Sequence, residues 1–333
     1  MRALSYVPAL RAAGFDVTVW AGGAASAMLG ALGEVVPIET VAPGPALFRR
    51  IARRVGADVT RLRRSRPRLV LSDGDAPSTY AAAILGIPVI AVGHGLVFAY
   101  ADVGPLPRTL LAREALNALS SSVLSRRQIG VHFAQARPRT STVSLARIDV
   151  RRELDRSASP DGDVIAYFRD GVGEDWLAAI AARGVRVRWF TDRTIAPAGV
   201  TVESPGLDRF AIALSNARGV VGTAGSNLVA ECRYLGIPLL ALPDDGDVEQ
   251  RLNARIGELD ESAAPVVVGR LGSVSSSAVD RFVRAADDVL REGRHPDRLP
   301  DHPPVGDAVV AAVTSLLRTR AQRVARADSR DAT

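Results

Sequence analysis

The stretch Val220 to Arg255, VVGTAGSNLVAECRYLGIPLLALPDDGDVEQRLNAR, reads as strand, turn, helix, strand, loop and helix. A β-branched pair (Val220, Val221) meets a turn of small residues, Gly222, Thr223, Ala224, Gly225 and Ser226, and a helix is expected over Ser226–Leu235. A second strand, residues 237–242, ends in an acidic loop, and the helix behind it carries Glu249, Gln250 and Asn253. Continuous apolar strands alternating with helices specify a parallel sheet covered on both faces. Such open sheets hold their ligands beyond the carboxyl ends of the strands. This one unit therefore bounds the fold class and locates the chemistry.

The turn suits an anion. Gly222 and Gly225 are expected to adopt backbone conformations closed to other residues and to leave room for a ligand. The helix behind them directs unpaired N–H groups and its positive dipole end at the turn. Asn227 and Glu231 are four apart and share a helical face. At about 1.5 Å per residue, Glu231 lies roughly 6–8 Å along the axis from the first amides. A diphosphate at the helix start would bring its ribose to that carboxylate. No lysine follows the glycines, so this is not an NTPase phosphate loop, and the turn lacks the G-x-G-x-x-G dinucleotide fingerprint.

The pattern small-G-S-x-x-x-x-E, then L-G-I-P-L-L-x-x-P, then E-Q-x-x-N-A resembles the donor-binding half of GT-B glycosyltransferases. It is similar to the bacterial lipid-intermediate N-acetylglucosaminyltransferases of cell-wall synthesis and, more distantly, to the UDP-glycosyltransferases. The resemblance implies a fold of two Rossmann-like doubly wound α/β domains facing a cleft. It assigns the diphosphate to the turn Gly222–Ser226, with Gly222, Thr223, Gly225 and Ser226 as its donor-binding residues, the ribose to Glu231, and donor-sugar hydroxyls to Glu249 and Gln250; Asn227 joins them through its helix-start amide and Asn253 through its place on the following helix. Simpler explanations exist for each side chain. Glu231 can be a solvated carboxylate, Glu249 and Gln250 open a helix where acids are favoured by the dipole, and Asn253 can bridge within its helix. Asp244, Asp245 and Asp247 read as a surface loop.

Composition narrows the rest. A chain of 333 residues, 47% hydrophobic, suits two folded domains. Its single cysteine, Cys232, excludes an intramolecular disulfide, suggests a reducing compartment and reads as a buried, inert thiol. Four scattered histidines give no metal-ligand spacing, so no metal and no cofactor are expected. All 42 cations are arginine and the net charge is only +6, which discourages a nucleic-acid partner. Arg49, Arg50, Arg53, Arg54, Arg61, Arg63, Arg64 and Arg66 share a helical stretch with Leu47, Ile51, Val55 and Leu62. Such a face can lean on anionic lipid, and an ordinary solvated helix is the simpler explanation. No run reaches the eighteen or so apolar residues of a membrane span, and no signal-peptide core opens the sequence. The expectation is a cytoplasmic protein with peripheral membrane contact as its furthest excursion.

Strand and helix alternate through the first half: strands at residues 16–20, 35–38, 69–72, 89–92 and 129–133, helices around 24–32, 45–64 and 78–85. Residues 149–162, DVRRELDRSASPDG, lose periodicity and mark a domain boundary. The expected organisation is an acceptor-side domain over 1–150 and a donor-binding domain over 160–305, with strands at 163–168, 185–190, 219–221, 238–242 and 265–268. A final helix over about 307–318, within a 306–333 segment, is expected to cross back to the first domain, as in the resembled family, and then fray. The first domain opens on a helical stretch, RALSYVPALRAAG, whose Pro8 is acceptable only near a helix start or at a kink. Doubly wound domains ordinarily begin with a mid-sheet strand. An upstream strand and glycine loop are therefore expected, the loop reading G-x-G-H in the resembled family and contributing a reaction-centre histidine.

A sugar transfer needs a base for the acceptor hydroxyl and positive partners for the departing diphosphate. His94, in VIAVGHGLVF, follows a buried strand and sits between glycines, where it can accept a proton near neutral pH. Asp73 and Asp75 end another strand on the same side and precede a helix; they can bind or orient an acceptor, and capping that helix is the simpler explanation. Asp102 follows the His94 loop with weaker support, and His132, His295 and His302 read as structural. The reading is a metal-independent hexosyltransferase using a nucleoside-diphosphate sugar, UDP-linked, and a carbohydrate, lipid or small-molecule acceptor. Its rivals are a UDP-sugar 2-epimerase-like isomerase of the same fold and a non-catalytic nucleotide-sugar-binding remnant.

Overall fold

The computed structural model describes residues 2–41, 44–168, 172–296 and 299–331. The chain divides into two compact units: Met1–Gly104, Ala112–Asp149 and Asp301–Thr333 form one, and Pro105–Leu111 with Val150–Pro300 form the other.

The first unit begins with α1 (Arg2–Ala12), β1 (Val19–Ala21), α2 (Ala24–Leu29), a 3-10 turn (Gly30–Leu32), β2 (Val35–Pro37) and α3 (Leu47–Ser65). It continues with β3 (Val70–Asp73), α4 (Ala76–Ile84), β4 (Val89–Gly93), α5 (Leu96–Tyr100) and β5 (Ala101–Asp102). The helix α6 (Arg108–Ser122) leads to β6 (Arg127–His132), β7 (Arg137–Pro138) and β8 (Val143–Arg147). Pro8 lies inside α1 rather than at its start. Pro8 is exposed, and the helix bond its missing N–H forgoes is the one to the Leu4 carbonyl. β3, β4, β6 and β8 form a parallel sheet in that order, with β1 and β2 a separate parallel pair and β5 and β7 an antiparallel one. The continuous apolar run of β4 is buried along its whole length, as a strand covered on both faces requires.

In α3 the basic face is not uniform. Arg54 is buried, pairing with Asp58 at 3.0 Å and with Asp75 at 3.1 Å, so it is a bracket inside the unit rather than part of a solvated stripe. The helix ends at Arg66, which takes a left-handed conformation (φ 47°) ahead of Pro67, a position usually given to glycine.

The second unit holds β9 (Val164–Tyr167), α7 (Glu174–Ala181), β10 (Val187–Phe190), β11 (Val200–Glu203), α8 (Leu207–Asn216) and β12 (Gly219–Gly222). Then come α9 (Ser226–Leu235), β13 (Leu239–Ala241), α10 (Val248–Leu259), β14 (Val266–Val268) and α11 (Ser276–Glu292). Its sheet is parallel throughout, in the order β11-β10-β9-β12-β13-β14. Val164, Trp176, Trp189, Val221, Leu240 and Phe282 belong to one buried cluster that binds β9, β10, β12 and β13 to α7 and α11. The strand order runs outward from β9 in one direction and from β12 in the other, so the crevice of an open sheet falls between those two strands. The last helix, α12 (Val305–Asp331), groups with the first unit, contacting α1, β6 and β8. Its helical backbone continues well past residue 318, where the sequence suggests fraying.

Candidate functional site

The glycine turn lands at the reversal point of the second sheet, directly after β12. Gly222 pairs in register with Tyr167 of β9. A Cβ at Gly222 would lie 2.7 Å from the Tyr167 carbonyl oxygen, so this glycine is required by close strand approach. The expectation of unusual backbone conformations is not met: Gly225 sits at φ −63°, ψ 138°, open to any residue. What glycine supplies there is space, since a Cβ at Gly225 would meet nothing within 4 Å. As N-cap of α9, Gly225 has no side chain to bond the first amides. The helix start is left available to an anionic ligand.

α10 braces that turn. Asn253, fully buried, donates through Nδ2 to the Ala224 carbonyl (3.1 Å) and to Ser226 Oγ (3.0 Å). Ser226 Oγ in turn donates to Glu249 Oε1 at 2.8 Å. Gln250 holds the acidic loop: Nε2 donates to Asp247 Oδ2 (2.8 Å), and Oε1 accepts from the Asp244 amide (3.1 Å). Asp247 caps α10, accepting from the Gln250 amide at 3.0 Å. The side chains of Gln250 and Asn253 are therefore engaged with protein partners, while Glu249 meets the turn through Oε1 and is only partly buried. Thr223, Gly225 and Asn227 stay partly exposed around it.

Glu231 differs from expectation. It shares α9 with Ser226 but is only 1% exposed, and both oxygens accept from Arg151, at 2.6 Å from Nε and 2.8 Å from Nη2. The Arg151 guanidinium also lies over the Phe210 ring, 5.1 Å from its centroid. The reason is electrostatic: a carboxylate buried this deeply needs a charged partner. Burial still raises the Glu231 carboxyl above its ordinary value, with the Arg151 bonds and charge working in the opposite direction. Sequence reasoning places Arg151 in a linker and gives it no role. Its partner lies 80 positions away, and no local pattern reports such a pair. Cys232 is buried and free, and its thiol is pushed well up by burial and then by Glu231.

In the first unit, His94 follows β4 and is buried, its Nδ1 lying 2.8 Å from the Val131 carbonyl oxygen. A carbonyl accepts only, so Nδ1 carries the proton and Nε2 keeps its lone pair. Burial lowers the imidazole well below its ordinary range, and the Arg2 charge adds to that effect. Asp73, at the end of β3, accepts from Arg2 Nε at 3.1 and 3.3 Å and from the Tyr6 hydroxyl at 3.4 Å. Neither α1 partner is visible in the sequence pattern. Asp75 caps α4, accepting from the Ser78 amide at 3.1 Å, and Asp102 accepts from the Gly104 amide at 3.1 Å. His132 stacks on Phe133 and accepts from the Ala134 amide at 3.0 Å, and His302 Nε2 accepts from the Ala136 amide at 3.4 Å. His295 is exposed. Among the described residues, no group of three or more His, Cys, Asp or Glu is placed to hold a metal ion.

Comparison with solved structures finds the same architecture. The chain superposes on MurG of Acinetobacter baumannii with a TM-score of 0.59 at 16% identity, covering 94% of this chain and 95% of that one. The glycosyltransferase SsfS6 of Streptomyces sp. SF2575, complexed with thymidine diphosphate, gives 0.58 at 18% identity over 95% and 96%. Arabidopsis thaliana UGT89C1, complexed with UDP-L-rhamnose, gives 0.58 at 16% over 88% and 90%. No match was found among curated protein sequences. These likenesses establish the GT-B fold, two parallel-sheet α/β domains. The sequence model of glycosyl transferase family 1 matches residues 28–285, spanning the glycine turn, α9 and α10. With that match the chain is identified as a glycosyltransferase, a member of glycosyl transferase family 1.

Proposed function

We propose that this glycosyltransferase moves a hexosyl group from a nucleoside-diphosphate sugar, UDP-linked, to a carbohydrate, lipid or small-molecule acceptor without a metal ion. The observation that carries the reading is the uncapped start of α9 at the reversal point of the second sheet, with open space at Gly225. The amides of Ser226 and Asn227 with the helix dipole would offset the charge of the departing diphosphate. Glu249 then suits the sugar: a carboxylate beside the turn repels phosphate but accepts hydroxyl protons. Glu231 can serve the ribose only by giving up part of its pairing with Arg151, so the two side chains act as one unit in this reading. Two of the structural relatives were solved with thymidine diphosphate or UDP-L-rhamnose bound. That supports a nucleotide-sugar donor here.

The acceptor falls to the first unit. His94, neutral and with Nε2 unprotonated, is the assigned base, and Asp73, held by Arg2 and Tyr6, is an orienting carboxylate. Peripheral contact with anionic membrane remains part of the proposal, through the exposed arginines of α3 and the exposed Phe48. Among the described residues, no helix is long and apolar enough to cross a membrane.

The test is Gly225→Asp. Its backbone conformation is open to Asp, whose carboxylate would cap the α9 amides from within and raise stability by about 0.3–1 kcal/mol. UDP affinity by calorimetry should fall more than about tenfold while the fold gains stability. Unchanged UDP affinity in this variant would remove the α9 start from the donor site.

A further inference from the structure

α3 opens against its own electrostatics. The start of a helix carries partial positive charge and favours anions. The first turn of α3 nevertheless holds Leu47, Phe48, Arg49 and Arg50, with no acid. Its N-cap, Ala46, bonds none of the leading amides through a side chain. The Leu47 amide turns back to the Gly44 carbonyl at 3.0 Å, and the Arg50 amide makes the first helical bond, to Ala46, at 3.0 Å. Phe48 and Arg49 lie between them and supply the uncapped N–H groups.

Arg50 deepens the conflict. Helical side chains lean toward the helix start, and Arg50 Nη2 comes to rest beside Gly44, 3.2 Å from the position a Cβ there would take. The Nε and Nη2 atoms of Arg50 are buried and have no hydrogen-bond partner among the described residues. The acids of this stretch are already committed. Glu39 pairs with Arg53, while Asp58 and Asp75 hold Arg54, which also donates to the Glu39 carbonyl. A guanidinium edge withdrawn from water without a partner is costly, and an unsatisfied buried group of this kind calls for an ion.

The two idle nitrogens belong together chemically. Nε and Nη2 form the edge of a guanidinium that grips two oxygens of one anion. Arg151 uses the same two atoms on Glu231, at 2.6 and 2.8 Å. Beside Arg50 there is also space. The Cβ position at Gly44 meets no heavy atom within 4 Å except Nη2, its chain neighbours aside, and Gly44 at φ 136° takes a conformation that keeps a side chain away. An oxygen placed there would be within hydrogen-bond reach of Nη2. A fork and two helix amides suit a phosphate, whose several free oxygens accept from different directions.

We propose that the start of α3 binds a phosphate group, Arg50 gripping two of its oxygens through Nε and Nη2 and the Phe48 and Arg49 amides meeting the same group. The ligand carries a terminal phosphate or a diphosphate, on a lipid headgroup or on a soluble molecule. The site is separate from the α9 start, which lies in the other unit, and does not rest on the donor reading. It also differs from the membrane contact of exposed arginines, because its guanidinium edge is shielded from solvent.

The test is calorimetric titration with inorganic pyrophosphate in phosphate-free buffer, on the full chain and on Gly225→Asp, so that binding at α9 and at α3 are read separately. In both backgrounds Arg50→Met should weaken one pyrophosphate site at least about tenfold, while Arg53→Met leaves it within about threefold. Without pyrophosphate, Arg50→Met should melt no lower than the native chain, since the charge it removes has no partner. Gly44→Ala keeps that charge, fills the space beside Nη2 and should weaken the same site. Displacement of pyrophosphate by phosphatidylcholine vesicles containing phosphatidic acid assigns the phosphate to a headgroup; pyrophosphate retained beside such vesicles assigns it to a soluble ligand. The proposal is overturned if Gly225→Asp binds no pyrophosphate, if Arg50→Met binds it as the native chain does, or if Arg53→Met loses as much. A lower melting point of Arg50→Met in phosphate-free buffer would also overturn it, since that marks a purely structural arginine.

Discussion

Replacing Arg151 by Ala isolates the buried ion pair of the donor unit. Glu231 is 1% exposed and takes both of its hydrogen bonds from Arg151, at 2.6 and 2.8 Å, so the variant leaves a carboxylate desolvated and unpaired. Removing one partner of a buried pair costs about 3–5 kcal/mol, a large share of a typical stability of about 5–15 kcal/mol. The loss should depend on pH. Burial already raises the folded Glu231 carboxyl above its ordinary value, and without Arg151 it rises further. A group whose folded pKa exceeds its unfolded one favours folding most below the unfolded value, and that advantage disappears as pH rises through the folded value. The deficit of Arg151→Ala relative to the native chain should therefore be small near about pH 4.5, where Glu231 can protonate, and reach its full size above neutrality. Urea unfolding at three pH values measures it. Replacing both partners, Arg151→Met with Glu231→Leu, should recover most of the loss. A deficit below about 1 kcal/mol at pH 7.5, or one equal at every pH, would refute the electrostatic account.

Three further outcomes follow from the same geometry. Glu231→Gln should weaken UDP binding by about 1–3 kcal/mol in a chain that still unfolds cooperatively; unchanged calorimetric affinity would take Glu231 out of the donor reading. Gly222→Ala places a Cβ 2.7 Å from the Tyr167 oxygen and should destabilise by about 1–3 kcal/mol, and a native melting temperature would show that β9 and β12 are not so closely pressed. The His94 imidazole is depressed in the fold, so the stability it contributes is present above its ordinary value and lost as pH falls through the window below about 6.5. His94→Gln should flatten the acid limb of the stability profile, and an identical limb in both proteins would contradict the burial argument.

The legible parts of this chain are those encoded locally. The start of α9 follows from small residues ahead of an amphipathic run, and its end from Gly236, which takes φ 70° and closes the helix. The parallel sheets follow from apolar runs such as Val89–Gly93, buried along their length. β11 escapes a sequence reading because Val200–Glu203 is a short edge strand, only partly buried, with polar residues at alternate positions. Roles set by distant pairing are equally hidden. Arg151 meets Glu231 across 80 residues and Arg2 meets Asp73 across 71, and neither spacing leaves a periodic trace. Gly225 stands out in the sequence for the wrong reason: its backbone is ordinary, and the absent side chain is what leaves the helix start uncovered.

The most direct trial of the account is a structure determined with UDP bound. Its pyrophosphate oxygens should accept from the Ser226 and Asn227 amides at about 2.9 Å, with the ribose on the Glu231 side of α9 and Arg151 displaced from at least one carboxylate oxygen. UDP seated elsewhere, or an α9 start left without an anion while the nucleotide is bound, would contradict it.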